Sequence, residues 1–171
     1  MATKVKTTKA KAKAPARAYA DLHDHIKALN DAGLLVTVTR PINKDTEMHP
    51  LVRWQFRGGI EAKDRKAFLF TNVIDSKGNK FDIPVVVGAL AANREIYGLG
   101  MGCKVEDVSQ RWHDAIANPV PPNLVDEAPC KEVIFEGADL DKPGNGMDGI
   151  PVPISTPGWD VGPVTTLSQY I

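Results

Sequence analysis

Short β-branched runs alternate with stretches of helical period along most of this chain, and that alternation limits the fold more than any other feature. Leu22, Ile26 and Leu29 recur at spacings of four and three from Tyr19 onward, and Gly33 offers a left-handed stop. LLVTVT (34–39) then reads as a strand. Pro50 opens a helical LVRWQFR that Gly58-Gly59 ends, and KAFLFTNV (66–73) alternates as a strand does. DSKGN (75–79) is a turn. IPVVVGAL (83–90) has the composition of a strand buried on both faces, and Pro84 fits only its first positions. Asn93 caps the next helix, with Glu95 in its first turn, and Gly98, Gly100 and Gly102 terminate it. Val105, Val108, Trp112 and Ile116 form the stripe of a longer helix that Asn118-Pro119 stops, and KEVIFEG (131–137) is a further strand. This order predicts an α/β domain with helices packed on a mixed sheet.

The two ends read differently. Residues 1–18 are Ala, Lys and Thr with no apolar face, which predicts a disordered basic tail. It is either a solvated extension or an arm drawn to polyanions or serving as an organellar address. Residues 138–171 are rich in Gly and Pro until GPVTTLSQYI, which alternates like a strand. An unpaired strand there would expose its hydrogen-bonding groups, so its partners are expected beyond Ile171 or in another chain.

With 171 residues, 43% of them hydrophobic, the chain can bury a core without disulfides or a structural metal. Formal charges balance, with twenty-one basic and twenty-one acidic residues. Six of the basic groups lie within residues 1–17, so the remainder carries about −6, which counts against a nucleic-acid-binding body. Cys103 and Cys130 form no CxxC pair and have no His at zinc spacing. A reducing, cytoplasmic setting is expected, with no membrane span.

No GxGxxG after a strand, GxxxxGK[ST], HExxH or GxSxG occurs. His23 and His25 point to different helix faces and are expected at the surface, and His49 and His113 are expected as surface or capping residues. Composition and spacing alone stop at an α/β domain.

Four stretches in order carry more: VVVGALAANREIYGLGMG (85–102), RWHDAIANPVPPNLVDEAPCKEVIFEGADLD (111–141), GIPVPISTPGWDVGP (149–163) and VTTLSQYI (164–171). Together they resemble the N-terminal portion of the UbiD-type decarboxylases, the 3-polyprenyl-4-hydroxybenzoate carboxy-lyase family, over most of residues 20–171. The resemblance implies a N-terminal α/β domain (19–128) followed by the first part of a flavin-binding split β-barrel (129–171). It also implies non-oxidative decarboxylation of an aromatic or α,β-unsaturated acid with prenylated FMN, Mn2+ and, as a candidate second ion, K+, none held tightly by these residues alone. A flavin prenyltransferase would supply the cofactor, and the full-length protein would be a homo-oligomer. The family's catalytic and metal-binding residues are expected downstream of Ile171. Thr166 best matches a position near the flavin, with Thr165 next if the register slips by one; a hydroxyl there can donate to flavin or phosphate, or be an ordinary strand residue. The turn departs from the family's Asp-Gly-Gly, reading Asp160-Val161-Gly162, so Asp160 is expected to brace a turn that Pro153 and Trp159 shape. The alternative is a non-catalytic binding module, or a subunit of a hetero-oligomeric carboxylase or decarboxylase.

Overall fold

The computed structural model describes residues 21–122, 124–128 and 131–163. Helix α1 (Leu22–Asp31) precedes strands β1 (Leu35–Val38) and β2 (Ile42–Asn43), followed by α2 (Met48–Arg57). Strands β3 (Ala67–Phe70), β4 (Val73–Ile74), β5 (Lys80–Phe81) and β6 (Val85–Val87) come next, then α3 (Arg94–Met101) and α4 (Val108–Ala117). β1 pairs parallel to β3, and β3 antiparallel to β6; β2, β4 and β5 repeat that arrangement in a second three-stranded sheet. Both sheets are built from the same three stretches of chain, each interrupted once. Pro41 and Pro84 lie in two of the interruptions, where a missing N–H cannot continue a ladder.

Pairing register decides the layers. Leu35, Ala67 and Val86 share one face and pack with Leu29 of α1 and Ile96 of α3. Val38, Phe68, Phe70, Val85 and Val87 share the other, with Met48 and Val52 of α2. Helices therefore cover both faces, as the α/β pattern predicted. Gln55 of α2 is buried and clamps the start of β3, accepting from the Lys66 N–H (2.8 Å) and donating to its carbonyl (3.0 Å).

Several expectations are corrected. The 83–90 strand does touch both cores, but it is an edge strand and only half-buried, because nothing pairs with its outer side among the described residues. Helix α2 starts two residues before Pro50, whose missing N–H is tolerated in a first turn. Only Gly102 stops α3, at φ +65°. Gly98 lies inside the helix, where a Cβ would come within 2.9 Å of the Cys103 carbonyl. His25 is buried rather than at the surface, since its Nε2 donates to the inward-facing Ala89 carbonyl at 2.7 Å. Residues 131–137 form no strand: Val133 and Ile134 are 67% and 61% exposed, and no sheet edge lies beside them. The Trp112–Ile116 stripe does form a helix, but no residue of α4 is buried.

Candidate functional site

Side chains of its own brace the turn between β2 and α2. Asn43 Oδ1 accepts the N–H groups of Asp45 (2.8 Å) and Thr46 (3.2 Å), and Glu47 Oε2 accepts that of Asn43 at 2.8 Å. This Asx-type bracing sets Lys44 at the end of the sheet and Arg53 one and a half turns into α2.

Both cations grip residues about a hundred positions later. The Lys44 ammonium is buried, pairs with Asp45 at 2.7 Å and donates to the Val152 carbonyl at 3.2 Å. The Lys44 backbone carbonyl accepts from the Ile154 N–H at 3.2 Å, so the incoming chain continues the hydrogen bonding past β2. Arg53 Nη2 donates to the Ser155 carbonyl (2.8 Å), and lies 3.3 Å from both the Ser155 and Thr156 hydroxyls. Asp160 then closes the turn, accepting the Thr156 N–H at 2.6 Å. It braces a turn as expected, reaching back four residues. Trp159 is 87% exposed, so it does not pack into that turn.

Beside this anchor lies an open cavity of about 810 Å3, whose walls include Lys44, Asp75, Lys80, Phe81, Asp148 and Pro163. Its carboxylates are committed to structure. Burial pushes Asp45 up, but the Lys44 ammonium and the Ser76 N–H outweigh it and hold the carboxyl below its usual range. Hydrogen bonds from Asn79 lower Asp75, and the Gly144 N–H lowers Asp148. Acids held ionised in this way are poor proton donors at neutral pH, so the site can bind and position rather than perform general acid catalysis. Next to it, burial and the Arg53 charge lower the His49 pKa against the opposing pull of Asp160, which keeps the ring neutral.

Thr165 and Thr166, the two cofactor candidates, lie outside the described residues, as does Cys130. His113 and His23 are exposed. Among the described residues no group of three or more His, Cys, Asp or Glu is placed to hold a metal ion, so these side chains do not supply a manganese site. No helix among them is long and apolar enough to cross a membrane. Lys44 and Arg53 were invisible in the sequence, where each reads as an ordinary solvated cation; only the late return of residues 152–156 gives them partners.

Residues 26–116 match the family described as the 3-octaprenyl-4-hydroxybenzoate carboxy-lyase N-terminal domain. Among solved structures, the chain is similar to the UbiD-class enzyme HmfF from Pelotomaculum thermopropionicum in complex with FMN, at 30% identity and a TM-score of 0.63 over 83% of this chain and 28% of that one. An evolved dimeric form of HmfF in complex with prFMN matches at 28% identity and TM-score 0.63, over 83% and 29%. The vanillic acid decarboxylase ShVdcCD from Sedimentibacter hydroxybenzoicus matches at 25% and TM-score 0.52, over 69% and 25%. The chain thus spans under a third of the solved chains it resembles. A family match across more than half of its residues, on an α/β scaffold shared with HmfF, means that this chain belongs to the UbiD family of carboxy-lyases and carries its N-terminal domain.

Proposed function

We propose that this chain is the N-terminal part of a prenylated-FMN-dependent non-oxidative decarboxylase acting on an aromatic or α,β-unsaturated carboxylic acid, and that residues 1–171 alone are inactive. The observation that carries this reading is the likeness to HmfF, a UbiD-class enzyme whose solved form holds prFMN, over 83% of this chain but only 29% of that one. In this reading residues 19–128 are the α/β domain, and residues 129–171 begin a split-barrel flavin domain in which Thr166, or Thr165, faces the cofactor. Prenylated FMN acts as the electron sink for carbon dioxide loss, with Mn2+ and a candidate K+ beside it, all held by residues downstream. The anchor formed by Lys44 and Arg53 delivers the chain into that domain. The working protein is a cytoplasmic homo-oligomer that receives its cofactor from a flavin prenyltransferase.

The test is the intact mass of the protein from its native source, followed by decarboxylation assays on a panel of aromatic and unsaturated acids with and without co-expressed prenyltransferase. A much longer chain that turns over only with the modified flavin is the expected result. Turnover by purified residues 1–171 alone, or a native mass near 18.6 kDa with no turnover, would overturn it.

A second reading has one observation in its favour. Trp112, Ile116, Val133, Ile134 and Phe135 leave a run of exposed apolar side chains, as a subunit completed by another chain would. Co-purification of a second, different polypeptide in fixed ratio would favour that reading.

A further inference from the structure

A second cavity, of about 480 Å3, opens beside the N-terminal end of α3 and shares no lining residue with the larger one. Its walls include Arg65, Asn93, Arg94, Glu106 and Ser109. Asn93 builds it: the buried side chain accepts the Ile96 N–H at 2.7 Å and donates to the Arg65 carbonyl at 2.6 Å. That clamp fixes the backbone of Arg65 next to the residue that opens α3, so two arginines line one cavity.

Neither guanidinium is ion-paired among the described residues. Arg65 stacks over the Phe56 ring with its guanidinium carbon 5.0 Å from the ring centroid, which fixes the group in place. Its Nε is buried and makes no hydrogen bond within the protein. Buried donors normally have a partner, and a guanidinium is a planar fork whose best partner is an oxyanion. Two arginines against the single carboxylate of Glu106 leave the lining at net positive charge.

We propose that this cavity binds a small molecule through an oxyanion group, a carboxylate or a phosphate, held by Arg65 and Arg94 with the Ser109 hydroxyl as a further donor. The site is independent of the decarboxylase reading, since it needs only residues of this domain. Its size suits a small metabolite rather than a macromolecule.

The test follows the Arg65 Nε–Hε resonance of the 171-residue protein in 1H–15N spectra during titration with sodium phosphate and, separately, sodium benzoate, with sodium chloride holding ionic strength constant. Saturable movement in at least one titration is expected, and the one that saturates identifies phosphate or carboxylate as the preferred group. R94Q should weaken binding about tenfold, the loss of one charge-assisted hydrogen bond, and R65Q should abolish it as read from neighbouring backbone amides. R53Q, at the distant anchor, should leave it unchanged. Arg94 is exposed, so R94Q carries the test even if loss of the Phe56 stack unfolds R65Q. Movement that chloride alone reproduces, absence of saturation with both anions, or full affinity in R94Q would overturn the proposal.

Discussion

Residues 21–102 and residues 105–163 belong to one chain but are held together differently. All ten buried hydrophobic residues fall between Leu29 and Ala92 or at Ile96, inside the first region. The second has comparable apolar content, yet α4 buries nothing and Trp112, Ile116, Val133, Ile134 and Phe135 stay exposed. What ties its end to the first region is polar: Lys44 to Val152 and Ile154, Arg53 to Ser155 and Thr156. Burial makes a region stable, whereas a few directed hydrogen bonds make it positioned. The first region is a scaffold, and the second is a segment whose route is set by it.

That contrast predicts a graded set of effects. Phe70 is fully buried against α2, so Phe70→Ala should cost about 3–5 kcal/mol and strip most of the cooperative unfolding signal in a thermal melt. The comparison breaks if Trp112→Ala, in the exposed helix, costs as much. Gln55→Leu keeps the bulk but strands the Lys66 N–H and carbonyl, for an expected loss of about 1–3 kcal/mol in denaturant titration. Gln55→Glu, which can still accept the N–H but not donate to the carbonyl, should fall between.

A smaller effect concerns pH. His49 is held neutral in the fold, with a pKa below its ordinary value of 6.5. Its contribution to stability is therefore complete above the unfolded pKa and is lost as pH falls from there through the lowered folded value. His49→Gln should flatten the stability profile on the acid side of 6.5. An unchanged slope would remove His49 as its source. Smallest in global terms is Arg53→Gln. It should leave the melting temperature close to that of the parent, within the roughly 0.5 kcal/mol typical of surface changes. Hydrogen exchange at the Ile154 and Asp160 amides should quicken at the same time. A large drop in melting temperature would mean that the second region contributes to the core after all.

Much of the scaffold was legible because its signals are local. Gly33 ends α1's last turn at φ +67°, and Asn93 caps α3 through its own side chain, both as their residue types predict. The 131–137 segment misled for the opposite reason. KEVIFEG has every local mark of a strand, but a strand exists only where another offers its edge, and no edge is near. His25 misled because the Ala89 carbonyl that buries it is 64 residues away.

By itself the sequence determined the helix caps, the apolar faces of β3 and β6 and, through the order of the 85–163 motifs, the family. Those depend on residue type and spacing, which chain proximity converts directly into structure. Only the tertiary structure decided that Lys44 and Arg53 are anchors, that Gln55 is a clamp and that Arg65 and Arg94 share a cavity. Each of those roles lies between residues distant in sequence, or between neighbouring elements whose packing direction no local pattern encodes. A polar side chain reads as solvated until the fold brings it a partner.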